Sequence, residues 1–234
     1  MITAFRWYLK VAGDCRNLFR LLSLVASVFL GGWAQASDES ISFAEATVFS
    51  APHLAAVAPN STLTYRFTRV SPPDAADSDV VRIHLAAGEG GVTMAQVEFL
   101  RGPQAISLPP IESPISNPIV LAFLERDIRD MQRMTGGQAN YFRKRIRLAL
   151  AEHADSEAIE IQYHGVRSPA LRISITPYET DVRRDRYGKY AAKRYAFVFC
   201  TAVPGEVAEI QTEVRDPETG DLLVRETLRF EDAE

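Results

Sequence analysis

The stretch Asn117–Leu150, NPIVLAFLERDIRDMQRMTGGQANYFRKRIRLAL, decides how this chain folds. Asn117 followed by Pro118 is a strong helix start: the asparagine oxygen can accept an orphan amide, and proline at the first helical position has no amide to orphan. Leu121, Leu124, Ile128 and Met131 follow at spacings of three, four and three, with Val120 and Phe123 widening the stripe. That spacing predicts an amphipathic helix. Glu125, Arg126, Arg129 and Asp130 fill the other face, where Glu125–Arg129 and Arg126–Asp130 stand as i,i+4 pairs. Gly136-Gly137 permits the left-handed backbone that ends a helix. A second helix is predicted from about Ala139 to Glu152, with Phe142, Ile146, Ala149 and Leu150 on one face. The two helices make a hairpin over 118–152.

Strand patterns flank the hairpin on both sides. Before it, Leu63, Tyr65 and Phe67 alternate with polar residues, as do Val81, Ile83 and Leu85, and then Ala95, Val97 and Phe99. After it, the same period of two runs through Ile159, Ile161 and Tyr163, then Leu171, Ile173 and Ile175. An apolar run at 195–201 and segments Val207–Arg215 and Leu222–Phe230 complete the series, the last two joined by the turn Asp216–Asp221. Strands linked this closely have no room for a crossover and must be antiparallel. The fold class predicted is α+β: a curved, half-barrel-like antiparallel sheet of about eight strands packed on the central helical hairpin. The ridge Leu121, Leu124, Ile128, Met131 is expected to seat in the concave side of that sheet.

The first 36 residues read as a separate object. Arg6, Lys10, Arg16 and Arg20 precede the uncharged run Leu21–Trp33, and Ala34-Gln35-Ala36 follows before Ser37-Asp38-Glu39. Basic leader, short apolar segment and A-x-A are the parts of a secretory signal peptide, with cleavage expected after Ala36 and export as the consequence. The alternative is a retained membrane anchor, which the run is too short to form as a full span, and no later run approaches ~18 apolar residues, so no stable membrane span is expected after cleavage. Residues 37–60 read as an N-terminal arm with a short strand around Thr47-Val48-Phe49, and 61–232 as a single domain. Removing the leader takes four basic and one acidic residue, leaving 22 Lys and Arg against 29 Asp and Glu, a formal charge of −7. That balance, with export, argues against nucleic acid as a partner. Cys15 leaves with the leader, and Cys200 remains as a single thiol within an apolar strand, where a buried inert role is expected.

Catalytic signatures are missing: the chain has no G-x-S-x-G, H-E-x-x-H, Walker A or C-x-x-C sequence. The four histidines, His53, His84, His153 and His164, show no ligand spacing, so neither a metal nor a cofactor is predicted. Asp127 and Asp130 lie among arginines, where surface ion pairing accounts for them. Two basic islands stand against the acidic whole. Arg143-Lys144-Arg145-Ile146-Arg147 places Arg143 and Arg147 at i,i+4, a repulsive pair without an anion nearby. Residues 178–195 combine Arg183, Arg184 and Arg186 with Tyr187, Tyr190 and other tyrosines, a chemistry that grips phosphate, carboxylate or sugar. Two readings stand for these cations: an external anionic ligand, or the protein's own acids. Arg143, Lys144, Arg147, Arg183, Arg184, Arg186, Tyr187 and Tyr190 are the candidate ligand-binding residues. A sheet–helix cleft lined by Tyr65, Phe67, Phe99, Phe123 and Phe142 is the other candidate, the alternative being plain core.

The block Asn117–Leu150, with Ile175-Thr176-Pro177-Tyr178 and Ala202-Val203-Pro204-Gly205, resembles a family of uncharacterised exported proteins of Gram-negative bacteria. The resemblance implies a periplasmic setting and carries no named activity and no site residues. In layout the chain is also similar to the periplasmic lipoprotein-carrier fold, an incomplete barrel lidded by helices. The functional expectation is a non-catalytic binding protein for a lipid-like or anionic envelope component. The alternatives are an interaction module that docks another envelope protein and, third, a hydrolase without a recognisable motif.

Overall fold

A computed structural model describes residues 41–102 and 105–234. The expected signal peptide and its cleavage site lie outside the described residues.

The hairpin forms where its sequence places it. Helix α2 spans Pro118–Thr135 and helix α3 spans Ala139–Glu152. The Asn117 side chain accepts the Ile119 amide at 3.1 Å, and Gly136 closes α2 with φ 69°, where a Cβ would be strained. A further helix, α1 (Phe43–Phe49), stands where the arm was expected to hold a short strand. Its cause is local: Ser42 accepts the Glu45 amide at 3.1 Å, the serine half of an S-x-x-E start. Ala44 and Val48, one turn apart, bury themselves, and the Ser42 hydroxyl donates to the Leu150 carbonyl of α3 at 3.0 Å.

The sheet is an open, curved antiparallel array of ten strands. They are β1 (Thr62–Val70), β2 (Asp77–Ala87), β3 (Thr93–Phe99), β4 (Ile106–Ser107), β5 (Ile111–Glu112), β6 (Asp155–Tyr163), β7 (Val166–Ile175), β8 (Arg194–Phe199), β9 (Val207–Arg215) and β10 (Leu222–Ala233). Eight are long, and β4 and β5 are two-residue pairings on β3. The order is β4-β3-β2-β1-β10-β9-β8-β7-β6, so the first and last long strands meet in the middle. There Phe67 lies opposite Leu228 and Tyr65 opposite Phe230.

The predicted alternation sets the inner face: Leu63, Tyr65, Phe67, Val81, Ile83, Ala95, Val97, Phe99, Ile173, Tyr195, Phe197 and Ile210 are all buried in one core. Asn117 ties the hairpin to this face. Its side-chain nitrogen donates to the Tyr65 hydroxyl at 2.9 Å and to the Gly205 carbonyl at 2.8 Å, fixing where α2 begins relative to β1 and the β8–β9 turn.

Candidate functional site

The three helices enclose an apolar groove of about 330 Å³. Leu121, Leu124 and Ile128 of α2 and Ile146 of α3 line it, together with Ile41 and with Phe49 of α1. This corrects part of the expectation for the α2 ridge, which was to seat in the sheet: Met131, Ile128 and Leu124 are buried in the same core as the sheet's inner face, whereas Leu121 opens to the groove. Leu121 is 43% exposed, and Leu124 and Ile128 share the groove with α1 and α3. The physical reason is α1, whose own apolar side supplies a second surface for the hairpin. The rim is charged and internally paired. Arg143 reaches Glu125 through two bonds of 2.6 and 2.7 Å, and Arg147 reaches Glu45 at 2.9 and 3.1 Å. The Arg143 hydrogen bond holds the Glu125 carboxyl below its ordinary pKa.

Charge, not only hydrocarbon, fills the side of α2 turned to the sheet. Asp127, read as a surface carboxylate, is completely buried. It accepts the Tyr195 hydroxyl at 2.6 Å and pairs with Lys193, itself buried, while the Tyr178 and Tyr195 hydroxyls lie 3.1 Å apart. Complete burial pushes the Asp127 carboxyl up, against the pull of Lys193. The residue before it, Arg126, makes a two-pronged contact with Glu226 of β10 at 2.7 and 3.0 Å and lies 4.6 Å over the Phe67 ring. Arg69 of β1 also pairs with Glu226, and Asp130 approaches Arg126 at 3.1 Å and Arg133 at 3.0 Å. Within the buried part, each charge has an opposite neighbour, which is the condition for tolerating ions in a core.

The candidate ligand residues divide. Arg143 and Arg147 lie at the groove, each against a carboxylate of the chain itself. Lys144 is exposed and does not line the groove. Arg183, Arg184 and Arg186 stand exposed around a short 3-10 turn, with Arg183 4.6 Å over the Tyr141 ring. Tyr187 turns inward, 5.7 Å from both Phe142 and Tyr178, and Tyr190 is half-buried against the core. The structure therefore does not bring all eight residues into one surface. Tyr65, Phe67, Phe99, Phe123 and Phe142, the candidate cleft lining, are buried in the core, Phe67 and Phe99 lying 6.2 Å apart.

Two elements of this arrangement escaped the sequence reading although signals existed. Asp127 stands in the apolar line Phe123, Asp127, Met131, one residue per turn, which marks an inward position. Lys193 is in phase with Tyr195, Phe197 and Phe199, the inward set of β8.

No protein family matches the chain, and no curated protein matches it in sequence. Solved structures with a related layout include the MucA/MucB complex of Pseudomonas aeruginosa, at 15% identity and a TM-score of 0.34, covering 78% of this chain and 54% of that one. The chain thus spans about half the length of the MucB structure it matches. The lipoprotein LppX of Mycobacterium tuberculosis matches at 9% identity and a TM-score of 0.31, over 73% of this chain and 84% of that one. A LolA superfamily protein of Nitrosomonas europaea matches at 11% identity and a TM-score of 0.21, over 82% and 92%. The chain is similar to these proteins in the general layout of an open sheet with helices, and no residue correspondence follows from matches at this level.

Proposed function

We propose that this protein is a non-catalytic binding protein of the bacterial periplasm that holds the apolar part of an amphiphile between α1, α2 and α3. The observation that carries the reading is the groove: an open apolar trough bordered by Leu121 and Ile41, both exposed, and by two arginine–glutamate pairs. Leaving such side chains in water forgoes roughly 25 cal/mol for each Å² that a ligand could cover. The volume of about 330 Å³ falls at the lower end of small-molecule sites. Arg143 and Arg147 keep a place in this reading as the polar rim that a headgroup would meet. Lys144, Arg183, Arg184, Arg186, Tyr187 and Tyr190 lie outside the groove lining.

A second reading, docking of a partner's amphipathic helix, is favoured by one feature. The rim presents both signs of charge, with Glu45 and Glu125 beside Arg147 and Arg143, which suits a helix-in-groove contact.

The test is binding of a fluorescent fatty acid to the full-length protein, with organic extraction and mass spectrometry of the purified material alongside. Leu121→Glu is expected to weaken binding about tenfold or more, because a charge replaces a contact worth ~1.5 kcal/mol or more. Val166→Glu, an exposed apolar position away from the groove, is expected to leave binding unchanged. Equal loss in both variants, or none in Leu121→Glu, would refute the assignment.

A further inference from the structure

On the opposite flank of α2 lies a second cleft, of about 480 Å³, lined by Arg69, Arg126, Arg129, Arg133, Asp130, Ala105 and Ile106. Arg126, Arg129 and Arg133 follow at i, i+3 and i+7, so the helix periodicity turns three guanidiniums toward the same opening. Arg69 reaches in from β1. Three of the four cations share two carboxylates: Glu226 binds Arg126 and Arg69, and Asp130 meets Arg126 at 3.1 Å, Arg133 at 3.0 Å and Arg69 at 3.6 Å. Arg129 makes no ion pair among the described residues, and it stands at i,i+4 from Arg133, a repulsive spacing unless an anion lies between them. The cleft therefore carries an excess of two positive charges on a chain whose formal charge is −4.

The inner and outer arginines have different parts. Arg126 is buried and clamped on Glu226, with Phe67 beneath it, so it forms a fixed wall. Arg129 and Arg133 are exposed and can turn their planar forks to a ligand, the geometry that suits tetrahedral or planar oxyanions. Among the described residues Asp130 is the only carboxylate lining the opening, and its oxygens are already occupied by three guanidiniums. From these features we infer that the cleft binds a phosphate-type oxyanion, free or as the headgroup of a lipid. The inference does not depend on the helical groove, which α2 presents on its other side.

Calorimetric titration of the full-length protein with inorganic phosphate, and flotation with phosphatidic acid vesicles, test it. The variants are Arg129→Gln and Arg133→Gln, both at exposed positions, and Arg167→Gln as an equal loss of charge on the β6–β7 hairpin. Each of the first two should weaken binding by about tenfold, the worth of one charge-assisted contact, while Arg167→Gln should have no effect. Saturation by inorganic phosphate identifies a soluble ligand, and vesicle binding without it identifies a headgroup. Binding of neither probe, or equal loss in all three variants, overturns the site. Arg129 and Arg133 do not line the groove, so fatty-acid binding there should be unaffected by these substitutions and either proposal can fail alone.

Discussion

The Tyr195 hydroxyl donates to Asp127 Oδ2 at 2.6 Å inside the core, with Lys193 on the other carboxylate oxygen. A helix and a strand are thus joined by ions where hydrocarbon would serve most proteins. Removing one partner leaves the other charged and buried. Asp127→Ala should destabilise the fold by about 3–5 kcal/mol, and Lys193→Met by a comparable amount. The double variant Asp127→Leu/Lys193→Met should cost less than the sum of the single losses, because no charge is stranded. Urea denaturation of the four proteins measures the coupling, and strict additivity would show that the pair does not act as one.

Acid should weaken the fold in two stages. Burial holds the His53 pKa below the ordinary value, and its Nδ1 accepts the Asn117 amide at 3.3 Å, a bond that a second proton on the ring would remove. A base whose folded pKa is depressed contributes stability above its unfolded value and loses it as pH falls, here below about pH 6.5. Glu226 follows in the carboxylate range. Burial raises it, but Arg126 first, then Lys193 and Arg69, hold it below its ordinary value, so its contribution vanishes as pH drops through the folded pKa. Asp127, pushed up by burial, works in the opposite sense. Urea midpoints followed from neutral pH downward should show the first decline in the parent and not in His53→Gln.

Two leucines three residues apart on α2 should differ sharply. Leu124 is 5% exposed and Leu121 43%. Leu124→Ala leaves a hole among α1, α2 and α3 and should cost about 2–5 kcal/mol. Leu121→Ala should cost less than about 0.5 kcal/mol, as an exposed substitution does. Similar losses at both positions would mean that the groove is filled in the free protein.

Glycine substitutions separate backbone strain from collision. Gly136 has φ +69° and open space around its missing Cβ, so Gly136→Ala should cost about 1–2 kcal/mol. Gly205, at φ +75°, would place a Cβ 2.7 Å from Leu63 Cδ1 and 2.8 Å from Asn117 Nδ2. Gly205→Ala should lower the melting temperature further than Gly136→Ala, because it also dislodges the asparagine that caps α2. Equal shifts would remove Asn117 from its role as the tie between hairpin and sheet.

The hairpin and the long strands were legible because their signals are local. Asn117-Pro118 and Gly136 act within one helical turn, and a period of two along Leu63, Tyr65 and Phe67 needs no partner to be read. The α1 start at Ser42 is equally local, but a helix of seven residues carries no long apolar stripe to mark it. The arginine–glutamate pairs at the groove rim join residues 18 and 102 positions apart, and neither pairing has a signature in the chain. Arg126 shows the same limit: charge patterning assigns it to water, whereas Glu226, 100 residues away, makes its burial tolerable.

By itself the sequence determined the helical hairpin and the long strands, that neighbouring strands run antiparallel, and which side of each strand is oily. These depend on backbone geometry and turn length, both of which act over a few residues. Only the tertiary structure decided that β1 closes against β10, that α2 turns its ions toward the sheet, and that its leucines face α1. Those outcomes depend on which distant surfaces meet, and on whether a charge finds its counterion once water is excluded.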